Sequence, residues 1–146
     1  MNSLSSPILR RFARSTSGTS AVEFALLSPL YFMLMFGMAA YGIYFGAGHS
    51  VQQLAADAAR VAVAGLSAQE RQALATDYIA RNASTYAFVD GGRVAVEVAD
   101  SAADPNQFVI GLTYDARGLP IWNLFDGLPL PDMTIARRST IRIGGI

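Results

Sequence analysis

FALLSPLYFMLMFGMAAYGIYFGA, Phe24 to Ala47, is the stretch whose reading decides the fold, and it contains no charged residue. At about 1.5 Å per helical residue it reaches about 36 Å, enough to cross a hydrocarbon core of about 30 Å. A secretory h-region is shorter, about 7–15 residues. The run therefore reads as a membrane span. Pro29 removes one backbone donor near its start, and Ser28 stands next to it to serve the freed carbonyl. Gly37, Gly42, Gly46 and Gly48, with Ala39 and Ala40, form small-residue patches. Such patches let a second helix approach closely, or they reflect only the frequency of Gly in spans.

Arg10, Arg11 and Arg14 precede the run with no acid among them. The positive-inside rule then keeps the N-terminus in the cytoplasm and sends the chain after about His49 across the membrane. The bulk numbers agree with a membrane-anchored chain: 52% of the 146 residues are hydrophobic and 15% charged. Net charge is zero, which gives no electrostatic footprint for nucleic acid. The chain has no cysteine, which excludes disulfides, thiol catalysis and thiolate metal sites.

Beyond the span, SVQQLAADAARVAVAGL continues a helical pattern, with Val51, Leu54, Ala58, Val61 and Ala62 on one side. Gln52, Gln53, Asp57 and Arg60 lie mostly on the other. One long helix is expected to about Ala64, with Gly65 as its C-terminal stop. Ser67 to Glu70 reads as a capping box opening a second helix, whose face is Ala75, Tyr78, Ile79, Asn82 and Tyr86. The period then becomes two. Val94, Val96 and Val98 alternate with polar or small residues, as do Phe108, Ile110, Leu112 and Tyr114, and then Ser139, Ile141 and Ile143. Asp104-Pro105-Asn106 marks a turn. The fold class is α+β: a long transmembrane helix running into an extracytoplasmic domain with a second helix and about three antiparallel strands. Between the last two strands, Ile121, Trp122, Leu124, Phe125 and Leu128 occupy a segment rich in Pro and Gly. They cover the core, lie at the membrane surface, or meet another subunit.

No cofactor or metal site is legible. His49 is the single histidine, at the exit of the span, and without cysteine it cannot build the usual zinc cluster. No nucleophile, phosphate-binding or dinucleotide motif is present, and the acids are scattered. The residues therefore argue for no enzyme.

Glu23 is the residue that asks for a reason, because an acid at the edge of lipid is expensive. A snorkelling position paired with Arg14 is one answer. The surrounding order supplies another: a basic leader, Gly18, four residues from Thr19 to Val22, then Glu23, Phe24 and a long apolar helix. That order resembles the processing site of type IV prepilins. The resemblance implies a membrane-embedded peptidase that cuts after Gly18, leaving Thr19 as the first residue. Arg10, Arg11, Arg14 and Phe24 would be its recognition context. The new α-amine, with a reference pKa of about 8, is mostly protonated near neutral pH. It can neutralise Glu23 of a neighbouring subunit and set the axial register between helices.

Gly18 to Arg60 is similar to the TadE-like family, small pilin-like proteins of tight-adherence (Tad/Flp) pilus systems. The matching pieces are the G-x-x-A-V-E-F-A-L opening, Pro29, the Gly37 and Gly42 pair, and Asp57-Ala-Ala-Arg60. One departure is Ala40, which stands between the two glycines where members often carry an acid. The resemblance implies a leader over 1–18, a pilin-like helix over 19–64 with its span at about 24–47, and an extracytoplasmic domain over 65–146. It implies a minor pilin or pseudopilin of the bacterial inner membrane that helps assemble or prime an adhesive pilus. Its partners would be other pilins, the prepilin peptidase, the inner-membrane assembly platform and lipid. The alternative is an uncleaved single-pass anchor that displays a small binding or adaptor domain.

Overall fold

The protein was analysed as a computed structural model, which describes residues 16–104, 106–124 and 127–143. Helix α1 (Thr16–Ala62) comes first, then α2 (Ala68–Asn82), followed by strands β1 (Val94–Asp100), β2 (Gln107–Asp115) and β3 (Thr134–Arg142). The fold is α+β, with one long apolar helix, a second helix and a three-stranded antiparallel sheet. The chain divides into two compact units between Phe36 and Gly37.

In the first unit the described residues are helical and, from Phe24 onward, mostly apolar, with their large side chains uncovered. Phe24 is 70% exposed and Leu26 74%. Pro29 lies inside α1. The carbonyl it leaves without a donor is that of Ala25, and the Ser28 hydroxyl donates to that carbonyl at 3.3 Å.

The second unit holds the core. From Gly37 onward α1 turns small residues inward: Ala40, Ala47, Ala55, Ala58, Ala59 and Ala62 are buried beside Val51 and Leu54. The sheet order is β1-β2-β3, and the register pairs Val98 with Ile110 and Ile110 with Ser139. The even-numbered residues of β2, from Phe108 to Tyr114, form its buried face, as the period-two pattern requires. Ile135 adds to that layer from β3, and Val94, Val96 and Val98 pack on it from β1. Gln52 donates from α1 to the Arg138 carbonyl at 3.0 Å, tying the helix to β3.

Helix α2 opens as expected. The Ser67 hydroxyl accepts from Glu70 N at 3.1 Å, while the Glu70 carboxylate reaches back to Leu66 N at 2.8 Å. Ala75 and Ile79 are buried. Arg71 is buried as well, paired with Asp100 at 3.2 Å and stacked over Phe108 at 5.6 Å from the ring centroid. Its guanidinium thus joins α2 to β1 and β2.

Two local expectations need correction. Val61 is exposed, because the inward stripe at the end of α1 runs through Ala58, Ala59 and Ala62 instead. Gly65 does not stop α1 with a left-handed cap, since the only described glycine with positive φ is Gly127. α1 ends at Ala62, and its last turn closes through Gly65 N to the Ala62 carbonyl at 3.0 Å. Gly65 is required for a different reason: a Cβ there would stand 2.7 Å from the backbone N of Arg71.

Part of the apolar segment between β2 and β3 folds over the core. Leu119 and Ile121 are buried, and the Trp122 indole donates to the Ala116 carbonyl at 2.8 Å. Phe125 lies outside the described residues, as does Pro105 of the predicted turn. The rest of that turn is present, with Asp104 accepting from Asn106 N at 2.9 Å.

Candidate functional site

The features singled out in the sequence lie along α1. Gly18 and Thr19 are exposed in its first described turns. Glu23 is exposed between Val22 and Phe24, which are themselves 60% and 70% exposed. Among the described residues the Glu23 side chain has no hydrogen-bond or ion-pair partner. Arg10, Arg11 and Arg14 lie outside the described residues, so the expected pairing with Arg14 lies there too. Pro29 is exposed on the same stretch, and so are Leu27, Leu30, Tyr31, Leu34 and Met35.

Chemically, this stretch is a rod of large apolar side chains with one carboxylate near its start. It offers van der Waals surface to lipid or to another helix, and one carboxylate that no described side chain meets. The two glycines expected to pack helices differ. Around Gly42 a Cβ would meet nothing within 4 Å, so the helix face there is open. At Gly37 a Cβ would stand 3.4 Å from the Leu128 side chain, so this position is already faced by the chain's own loop.

The C-terminal end of α1 carries a polar cluster that the sequence hid. Asp57 accepts from Arg60 at 2.5 Å and from the Tyr86 hydroxyl at 2.8 Å, and the Tyr86 and Tyr78 hydroxyls lie 3.0 Å apart. Partial burial, first, and then hydrogen bonds with Tyr78 and Asp57 push the Tyr86 phenol well above its ordinary pKa. The phenol therefore stays protonated and keeps donating. In the sequence Asp57 was one of several scattered acids; its partners lie far downstream, with no local signal. The cluster fastens the end of α1 to α2 and the turn after it.

Among the described residues no group of three or more His, Cys, Asp or Glu side chains is placed to hold a metal. The outer face of the sheet has a shallow cleft where Glu97 and Arg138 flank Gly111. α1 is long and apolar enough to cross a membrane. Residues 18–60 match the family model described as TadE-like protein. No curated protein and no solved structure matches the chain. The matched segment opens at the glycine before the exposed apolar stretch and closes at Arg60, the partner of Asp57. Residues 18–60 are thus similar to the TadE-like family, and that likeness points to Tad pili.

Proposed function

We propose that the chain is a minor pilin or pseudopilin, anchored in the inner membrane with its N-terminus in the cytoplasm. Its leader, residues 1–18, is removed after Gly18 by a prepilin peptidase, and the matured chain helps assemble or prime a Tad-type pilus. The observation that carries this reading is the uncovered apolar stretch from Val22 to Met35, headed by Glu23, which has no side-chain partner among the described residues. Residues 37–146 already have a core of their own, so folding gives the first stretch no further task.

The chemistry follows from the charge. A carboxylate at the lipid boundary needs a partner. Cleavage after Gly18 creates an ammonium on Thr19, and on a neighbouring helix that ammonium can lie beside Glu23. The pair fixes the axial offset, while Pro29 and the open helix face at Gly42 shape the contact between helices. The partners are other pilins of the same system and the inner-membrane assembly platform.

Glu23→Ala and Glu23→Asp variants, scored for recovery with sheared pili or with the assembly platform, test the register role. Loss with Ala and partial recovery with Asp is the expected result. Unchanged incorporation of both would remove that role.

A further inference from the structure

We infer that the folded body is seated in the membrane rather than held above it, with the segment Leu128–Pro131 embedded in the nearer leaflet and Phe88 at the headgroup level. This rests on the reading of α1 as a membrane span.

Counting along the helix sets up the argument. Phe24 to Phe36 is the charge-free part of the first unit, and at about 1.5 Å per residue it covers only about 20 Å. A hydrocarbon core of about 30 Å needs about 20 residues. If the core begins at Phe24, just past Glu23, it ends near Ile43. The residues from Gly37 to Ile43 are then at hydrocarbon depth, yet they belong to the folded body. Whatever packs beside them is in the leaflet too.

Two contacts show what that is. Leu128 faces Gly37, and the Tyr41 hydroxyl donates to the Pro129 carbonyl at 3.0 Å. Gly37 lies about 9 Å below the boundary at Ile43 on this count. Irregular backbone at such depth is tolerated only when its polar groups are removed or satisfied. Both devices occur at the two prolines of this segment. Pro129 and Pro131 have no N–H to satisfy, and the Pro129 carbonyl is taken by Tyr41. The same bond satisfies a phenol that would otherwise be orphaned in lipid.

Phe88 marks the upper edge. A Cβ on Gly46 would stand 3.1 Å from its ring, which places the ring about one helical turn beyond Ile43. It is 50% exposed, although its φ of 62° is a conformation that a bulky residue rarely adopts. Phe45, nearby on α1, is 55% exposed. Aromatic rings concentrate at this level of a bilayer.

The absence of native cysteine makes the test direct. Full-length protein carrying single Leu34→Cys, Leu128→Cys, Phe88→Cys or Thr140→Cys substitutions is spin-labelled and reconstituted as one copy per lipid nanodisc. Collision with oxygen and with a water-soluble nickel chelate is then measured. Shielding from the chelate should fall in the order Leu34, Leu128, Phe88, Thr140, with Leu128 several-fold more shielded than Thr140 and still open to oxygen. Leu128 as open to the chelate as Thr140, with Leu34 shielded, would overturn the seating and leave the span intact. A label at Leu128 closed to both reagents would also overturn it, since protein rather than lipid would then cover that site. A chelate-accessible Leu34 would remove the span itself, and the seating with it.

Discussion

Gly18 to Phe36 and Gly37 to Ala62 are two stretches of one helix, the first rich in large apolar side chains and the second in alanine, and they meet opposite fates. The first presents Phe24, Leu26, Leu27 and Tyr31 with nothing over them. The second buries Ala47, Ala55, Ala58 and Ala59 against the folded body. Side-chain size on the inward face separates them. Alanine lets a sheet and a second helix come close to the backbone, and close packing supplies the dispersion contacts that hold the body together. Large side chains on every side keep neighbours farther away, and they suit lipid or the grooves of another helix. Hydrophobicity alone therefore does not say whether a helix belongs to its own chain's core.

The sharpest way to break this contrast is to truncate one leucine on each side of it. Leu54→Ala should destabilise the body by about 2–5 kcal/mol, because the site is fully buried. Leu30→Ala should stay within about 0.5 kcal/mol. Denaturation in micelles reads both, using the fluorescence of the single tryptophan, Trp122. Equal losses would mean that the first stretch is part of the core after all.

Glycine gives a second, smaller pair. Gly65→Ala places a methyl against the Arg71 backbone and should cost about 1–3 kcal/mol. Gly42→Ala meets open space and should leave the body unchanged or raise its stability by up to about 1 kcal/mol through helix propensity. If Gly42→Ala nonetheless lowers recovery with pili, the open helix face at Gly42 is an intersubunit surface. A stability loss there in the lone chain would instead show that Gly42 packs within the body.

The smallest effect concerns the polar cluster that fastens the second stretch. Tyr86→Phe removes the hydrogen bonds to Asp57 and Tyr78 and should cost about 0.5–1.5 kcal/mol. The phenol pKa is raised in the folded state. Its contribution is then fully present below the unfolded value of about 10 and is lost as pH rises from there through the folded value. Wild type should lose stability above about pH 10 more steeply than Tyr86→Phe. Parallel stability curves would show that the phenol does not titrate differently on folding.

Much of the fold was legible because its signals are local. Alternation at Val94, Val96 and Val98 needs only a few neighbours to be read, and so does the capping box at Ser67. The contacts that were missed join residues far apart in the chain. Asp57 meets Tyr86, Arg71 lies under the sheet beside Asp100 and Phe108, and Gly65 yields to the Arg71 backbone. Val61 lies outside the stripe because the inward face runs through Ala58, Ala59 and Ala62; Ala58 and Ala62 stand where the pattern puts them, and Ala59 takes the place expected for Val61. Phe24 to Ala47 looks uniform by composition; the change at Gly37 depends on Leu128 and Pro129, far downstream. On the candidate site, the opening glycine, the acid and the apolar stretch were all readable. That Gly37 is faced from within while Gly42 is open was not.

The N-terminus of the protein in the envelope tests the central claim, that the uncovered stretch is a subunit-packing helix released by loss of its leader. N-terminal sequencing or intact mass of the assembled protein should read TSAVEF, beginning at Thr19, and a Gly18→Ala substitution should block that product. A functional chain that still carries Arg10 and Arg11 would contradict the account, because Glu23 would then have no neighbouring Thr19 ammonium to meet.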